Sequence, residues 1–212
     1  MTILIQYSLI FASILILVAL GGCFSEHSGV INIGLEGIMV MGAFGGALVM
    51  QVLSPSIPGI VMILVVMAVA IIFGMIYSLL LAVAAIHFRA DQTLVGTAMN
   101  MLGTAAATVA VRAINSAKDA TNVSSALNYG AQKAAFTKMI GGYELNWFIP
   151  IPLVILIAAN VVLYKTKFGL RLMACGEHPQ AADSVGINVF AMRYAGVLIS
   201  GALGGLGGIV YI

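Results

Sequence analysis

The stretch SGVINIGLEGIMVMGAFGGALVM, residues 28–50, combines a membrane-length apolar run with two polar side chains near its start. From Val30 onward the run is long enough to enter a bilayer, yet it contains Asn32 and Glu36. A carboxylate inside a membrane segment costs about 2.5–3.5 kcal/mol on insertion scales. The position of Glu36 in the folded chain therefore has to compensate for this cost.

The composition places the whole chain of 212 residues in a membrane. Apolar residues make up 62% of it and charged residues only 8%, and its mean hydropathy is +1.13. Soluble domains carry roughly 25% charged residues, so this chain cannot build a solvated surface. The net charge of +2 comes from scattered basic residues, which form no patch for nucleic acid.

Apolar runs of roughly 20 residues predict transmembrane helices, because lipid leaves no partner for an unpaired backbone. The runs lack the alternation of barrel strands. We therefore expect an all-α, polytopic membrane protein with one domain over residues 1–212. The third span is long enough either to tilt or to break near Gly74. The six predicted spans are 3–22, 30–51, 58–86, 92–112, 147–164 and 194–212.

Two long polar connections separate these spans, residues 113–146 and residues 165–193. With 23–28, 87–91 and 165–193 placed inside the cell, the inner side holds the larger share of the nine Lys and Arg residues. The bias is small, but it favours a cytoplasmic 165–193 and an external 113–146. The inner residues are Arg89, Lys165, Lys167, Arg171 and Arg193, and the outer ones are Arg112, Lys118, Lys133 and Lys138.

No soluble-enzyme motif occurs in the sequence. The histidines His27, His87 and His178 are far apart and have no metal-ligand spacing, so we expect no metal site and no catalytic residue. The phosphate-loop pattern G-x-x-x-x-G-K-[ST] is absent as well. If ATP drives this protein, another subunit binds it.

Asn32 and Glu36 are four residues apart, so on a helix they would share a face and could hydrogen-bond. Three interpretations remain open for this pair. It could anchor a partner helix, it could contact a substrate, or Glu36 could simply reach the membrane interface.

A second polar stripe runs along QTLVGTAMNMLGTAAATVAVR, residues 92–112. Its members recur at steps of four, three, four and four, which traces one helix face. The stripe could line a translocation path, or its threonines could bond their own backbone in ordinary helix packing. Its members are Thr93, Thr97, Asn100, Thr104 and Thr108.

The internal connection contains HPQAADSVG, residues 178–186, which predicts a short helix. Pro179 suits its first turn and Gly186 its end. Ala181 and Ala182 give it too little apolar surface to fold alone, so it either docks in a groove or remains a local surface helix.

Together these three segments resemble the permease subunits of binding-protein-dependent ABC importers, in the branch associated with nucleosides and simple sugars. SGVINIGLEGIMVMGAF is similar to the early membrane motif of that branch, and DQTLVGTAMNMLG to its helix with Gln-Thr and Asn positions. FGLRLMACGEHPQAADSVGINV resembles its cytoplasmic coupling loop, where Gln180 stands in place of the usual glutamate.

The resemblance implies a multi-pass subunit in the plasma membrane of a prokaryote. A second permease subunit would complete the pathway, and a substrate-binding protein outside the cell would deliver the cargo. Cytosolic ATP-binding subunits would hold the ATP and dock on the coupling helix. The implied pathway residues are Asn32, Glu36, Thr93, Thr97, Asn100 and Thr104, and the implied coupling residues are Pro179, Gln180, Ala181, Ala182 and Gly186.

Permeases of this family generally continue beyond the position that matches Ile212, so we also expect a truncated sequence. Ser200, Gly204 and Gly208 share one face of the last span, and Gly201 and Gly205 share another, which predicts close neighbouring helices. Branched-chain amino-acid permeases are the nearest substrate alternative. The other functional alternatives are an ion-coupled secondary transporter, using Glu36 and the stripe near mid-bilayer, and a non-transporting fragment.

Overall fold

The computed structural model describes residues 2–54, 57–119, 121–122, 124–130, 136–140 and 143–211. A five-residue π-helix, Val83–His87, continues the third helix. A two-stranded antiparallel hairpin, β1 (Thr137–Ile140) and β2 (Tyr143–Asn146), lies between the fourth and fifth helices. The helices in these ranges are α1 (Thr2–His27), α2 (Leu35–Val52), α3 (Gly59–Ala82), α4 (Gln92–Lys118), α5 (Pro150–Lys165), α6 (Lys167–Glu177), α7 (Pro179–Ser184) and α8 (Val189–Tyr211).

The prediction of a polytopic helical membrane protein is confirmed. In the described part of the chain, five helices are long and apolar enough to cross a membrane, and a sixth span is reached if α5 and α6 count together. Helix α5 has 16 residues, which gives about 24 Å at the usual helical rise and is shorter than the roughly 30 Å hydrocarbon core. The chain bends by 70° between α5 and α6.

One predicted boundary is wrong, and one of the two possibilities left open for the third span is excluded. The second span does not begin at residue 30, because residues 30–34 are not helical and α2 begins at Leu35. Helix α3 runs unbroken through Gly74, and its only departure from α-helical geometry within its described length is the π-helix at its end. Gly74 instead permits a close helix crossing, since a Cβ there would collide with the carbonyl oxygen of Gly201.

Helix α8 is the centre of the fold and packs against α1, α2 and α3. Its glycines allow this, because without a Cβ the backbones of neighbouring helices approach closely. A Cβ added to Gly42 of α2 would collide with the backbone of Gly205, and one added to Gly208 would collide with the carbonyl oxygen of Met39. The close neighbours predicted for the last span are therefore present.

Three connections lie together at one end of the bundle. The backbone N–H of Ile31 donates to Oε1 of Gln92 at 2.7 Å, and the Tyr194 hydroxyl lies 2.8 Å from Nδ1 of His87. Gly29 packs against Gly176, where an added Cβ would be 3.2 Å from the Cα atom. The connections 23–28, 87–91 and 165–193 therefore share one end, as the order of the predicted spans requires; which end faces the cytoplasm stays a prediction.

Candidate functional site

Asn32 lies in the connection before α2, so it does not share a helix face with Glu36 as predicted. Only 7% of its surface is exposed. Its Nδ2 donates to the hydroxyl oxygen of Ser200 at 2.8 Å, while its Oδ1 is buried without a hydrogen-bond partner in the described residues. Asn32 therefore ties the start of the α2 segment to the central helix α8.

Glu36 is exposed and stands in the first turn of α2. The first backbone N–H groups of a helix have no partner within it and carry partial positive charge, which favours an acid at this position. Since α2 begins beside the connection to Gln92, the acid also lies near one end of the bundle. This location explains why the sequence tolerates it, and it does not favour a coupling-ion site at mid-bilayer.

Asn100 fastens α4 to the start of α2. Its Oδ1 accepts from the backbone N–H of Gly37 at 2.8 Å, and its Nδ2 donates to the carbonyl oxygen of Ile33 at 3.0 Å. Gly37 is the third residue of α2, and the N-cap residue Gly34 provides no side-chain cap. Asn100 therefore caps α2 from a neighbouring helix, with both ends of its amide already bonded to backbone.

The threonines of the stripe bond the backbone of their own helix. Thr97, Thr104 and Thr108 each donate to the carbonyl oxygen four residues earlier, at 2.9, 3.1 and 2.7 Å. All three are exposed, as is Thr93. Helix α4 packs through the neighbouring stripe, which consists of Gly96, Met99, Gly103, Ala107, Val111 and Asn115.

An open cavity of about 310 Å³ lies between α2, α4 and the segment that follows α4. It contains two members of the predicted stripe, Thr104 and Thr108, together with the aromatic side chains of Phe44 and Tyr129. The stripe residues Thr93, Thr97 and Asn100 do not line it, and neither do Asn32 and Glu36. The other lining residues are Val40, Ala43, Ala47, Ala107, Val111, Ser125, Ala126 and Leu127.

Asn115 holds the far wall of this cavity in place. It is 5% exposed, and its Nδ2 donates to the carbonyl oxygens of Ser124 and Ala126, both at 2.9 Å. The segment 124–129 is therefore attached to the end of α4. Burial raises the pKa of the Tyr129 phenol, so this side chain is neutral at physiological pH.

Sequence reasoning missed Phe44, Tyr129 and Asn115. For Phe44 a signal exists, because a lone aromatic side chain stands among small residues in GAFGGA, residues 42–47. Small neighbours leave space beside a large ring. Tyr129 gave no comparable signal, since it lies in a polar connection without periodicity.

The short helix predicted at 178–186 is confirmed as α7, with Pro179 in its first turn. Gly186 has φ of +81°, a left-handed conformation that glycine adopts without penalty. The backbone N–H of Gly186 donates to the carbonyl oxygen of Asp183 at 2.9 Å, and that of Ile187 to Ala182 at 3.1 Å. This pair of bonds is a Schellman motif, which ends the helix.

Helix α7 turns one side inward and leaves the rest exposed. Ala182 is 3% exposed, whereas Gln180, Ala181 and Gly186 are exposed and Pro179 is half-buried. Within the described part of the chain, nothing lies within 4 Å of the position of a Cβ on Gly186. Val185 beside it is 74% exposed, although it is apolar.

The described residues contain no group of three or more His, Cys, Asp or Glu side chains that could hold a metal ion. The candidate functional features in the described residues are the cavity between α2, α4 and the segment after α4, and the exposed helix α7.

Long apolar helices packed around a glycine-rich centre define a multi-pass helical membrane protein. Residues 4–212 match the family described as the permease component of the branched-chain amino acid transport system. The chain belongs to this family of transport permeases, which are membrane components of transporters and not enzymes.

Individual relatives cover the whole chain. NupQ, the guanosine ABC transporter permease protein of Bacillus subtilis (strain 168), is 40% identical over 219 residues, covering 100% of this chain and 67% of NupQ. NupC, a nucleoside ABC transporter permease protein of Lactococcus lactis, is 37% identical over 99% of this chain and 67% of NupC. The putative glucose ABC transporter permease protein TsgC13 of Haloferax volcanii is 30% identical over 93% of this chain and 58% of TsgC13. No solved structure matches the chain significantly.

Proposed function

We propose that this chain is the membrane-spanning subunit of an ATP-driven importer of nucleosides in the plasma membrane of a prokaryote. The observation that carries the proposal is the 40% identity to a guanosine permease over the full chain. ATP hydrolysis takes place on separate cytosolic subunits. A second permease subunit completes the pathway, and a binding protein outside the cell delivers the nucleoside.

In this proposal α7 is the helix that docks on the ATP-binding subunit. It projects from one end of the bundle with Gln180, Ala181 and Gly186 exposed. A short helix with small exposed side chains fits a groove on a partner, because its backbone can approach closely. The exposed Val185 adds an apolar contact at the end of the same helix.

The structure also provides a route from α7 to the rest of the bundle. After the Schellman motif, Asn188 caps α8 by accepting from the backbone N–H of Ala191 at 3.0 Å. Only residues 185–188 separate the two helices, so a displacement of α7 pulls directly on α8. Helix α8 contacts α2 and α3, and Ser200 is bonded to Asn32 beside the start of α2. Movement at α7 would thus reach the helix that forms one wall of the cavity.

The docking proposal is tested by affinity purification of the full chain, carrying a tag, from native membranes. We expect an ATP-binding subunit to co-purify with the wild type and with Gly186→Asn, because Asn tolerates left-handed backbone. Gly186→Arg should lose most of the partner, since a long charged side chain would enter the contact. Both variants replace the same left-handed glycine, so their difference reports the bulk and charge of the side chain.

The substrate is tested in sealed vesicles from the same membranes. Uptake of radiolabelled guanosine should require ATP and the binding protein, and unlabelled nucleosides should compete with it. Competition by glucose or leucine alone would overturn the nucleoside assignment. Uptake that persists with ATP depleted and an ion gradient imposed would overturn ATP coupling.

A further inference from the structure

The cavity beside Phe44 extends from the middle of the bundle toward the end opposite α7. Helix α2 begins near Gln92, at the end that carries the 165–193 connection, and the cavity is lined by the middle of α2, from Val40 to Ala47. From α4 it takes Thr104 to Val111, and from the following segment Ser125 to Tyr129. If α7 faces the cytoplasm, as the proposed function requires, the segment after α4 that lines this cavity lies on the outer side of the membrane.

The lining chemistry fits a neutral molecule with an aromatic part and hydroxyl groups. None of the described lining residues is charged, which does not suit the two charges of a free amino acid. The volume of about 310 Å³ falls at the lower end of the range of roughly 300–1,000 Å³ found for small-molecule sites. Phe44 and Tyr129 offer aromatic faces, on which a base stacks irrespective of its identity.

Two features fix the aromatic side chains. The ring of Phe44 packs edge-on against Phe73 of α3, with centroids 6.3 Å apart and planes at 72°. Tyr129 is half-buried and packs against the hydrophobic core, three residues after Ala126, whose carbonyl oxygen Asn115 binds. Rings that are already positioned lose little conformational freedom when a ligand stacks on them.

The hydroxyls of Thr104 and Thr108 supply the polar part. Their protons are directed to carbonyl oxygens of α4, at 3.1 and 2.7 Å, so the oxygen lone pairs remain available as acceptors. The hydroxyl groups of a ribose and the amino group of a base are donors that could bond to them. The backbone-bonded threonines of the stripe can therefore also bind a ligand.

We propose that this cavity binds a nucleoside as it enters the permease, with the base against Phe44 and Tyr129 and its donors on Thr104 and Thr108. The inference rests on the proposed function and adds to it the binding position and the part of the ligand that is recognised. It concerns the base in particular, because a planar base can stack flat on an aromatic face.

The first test measures the KM for guanosine uptake in vesicles that contain the complete transporter. Phe44→Leu and Tyr129→Leu remove an aromatic face while retaining bulk, and each should raise KM roughly tenfold. Tyr129→Phe keeps the face and should remain near wild type. The matched control is Phe11→Leu, because Phe11 is 55% exposed on α1 and does not line the cavity.

Co-purification of the ATP-binding subunit is measured for the same variants. A raised KM with normal co-purification supports the base site. An unchanged KM in both leucine variants overturns it and leaves the proposed importer intact. Absence of any nucleoside uptake by the wild type would overturn the proposed substrate and this site together.

A second test uses binding without transport. In a Cys23→Ser background, Ser125→Cys places a thiol in the wall of the cavity, while Cys175 is fully buried. Guanosine should slow labelling by a membrane-impermeant maleimide, and ribose at the same concentration should not. Equal protection by ribose, or none by guanosine, would overturn recognition of the base.

Discussion

Helices α4 and α8 have similar lengths but opposite environments. Both are long and apolar enough to span a membrane, yet 67% of the most apolar part of α8 is buried in the chain and only 28% of that of α4. Glycines account for the burial of α8, since they let three other helices approach its backbone. Helix α4 packs along a single stripe and leaves its threonine face uncovered. The comparison separates a helix that holds the subunit together from one that presents a surface to lipid, to a partner chain or to a ligand.

A helix that packs on one side still needs a fixed position, and two asparagines provide it for α4. Asn100 bonds the start of α2, and Asn115 bonds the segment after α4. Both side chains bond backbone groups, which do not depend on the identity of the residue that carries them. The side chains on the exposed face of α4 can therefore differ between permeases with different ligands, while the helix keeps the same position.

The largest loss of stability is expected from Gly205→Ala in α8. The added methyl group would collide with the carbonyl oxygen of Ala70 and lie 3.2 Å from the Cα atom of Gly74. Both obstacles are backbone and cannot rotate away, so we expect a loss of about 1–3 kcal/mol or more in the free energy of unfolding. Thermal unfolding of the purified chain in detergent measures it.

Gly130→Ala is the matched control for that substitution, because no atom of the described residues lies within 4 Å of a Cβ at Gly130. Its unfolding temperature should stay at the wild-type value. Equal stability of both variants would show that α8 is not the tightly packed centre. Helices α8 and α4 would then not differ in packing as described.

The second-largest loss of stability is expected from Asn100→Leu in α4. The substitution leaves the backbone N–H of Gly37 and the carbonyl oxygen of Ile33 without their partner, and each unsatisfied group costs about 1–3 kcal/mol where it is buried. Stability and assembly should therefore fall together with uptake. Thermal unfolding and the yield of assembled transporter measure this.

Thr97→Val, one turn away on the same stripe, is the control. Among the described residues, its hydroxyl bonds only the backbone of its own helix, so the variant should unfold close to wild type. If Asn100→Leu instead assembled and unfolded normally but lost uptake, Asn100 would contact the substrate rather than position α2.

The sequence predicted the features that depend on neighbours along the chain. Apolar runs located the helices, small residues located the close crossings of α8, and Pro179 with Gly186 located α7. Each of these follows from local physics, such as hydropathy, the absence of a Cβ or a fixed backbone angle.

The features that depend on distant partners could not be predicted. Asn32 was assigned to a helix face shared with Glu36, yet its partner Ser200 is 168 positions away. Hydropathy placed the start of the second span at residue 30. It contains no information on distant hydrogen bonds, and here the side chains of Gln92 and Asn100 bond a backbone that is not helical. The cavity combines three segments, and only the threonines on one of them carried a periodic signal.

The smallest effect is expected from Glu36→Gln. The acid is exposed in the first turn of α2, where its attraction to the helix N-terminus contributes about 0.3–1 kcal/mol and is screened by salt. The variant should therefore unfold at a slightly lower temperature than wild type at low ionic strength, and at the wild-type temperature in high salt. Glu36→Asp retains the charge and should unfold at the wild-type temperature in low and in high salt.

A much larger drop in unfolding temperature on Glu36→Gln, seen in the assembled transporter but not in the isolated chain, would show that the carboxylate pairs with a partner subunit. Helix α2 would then resemble α4, with one face committed to this chain and another to the assembly.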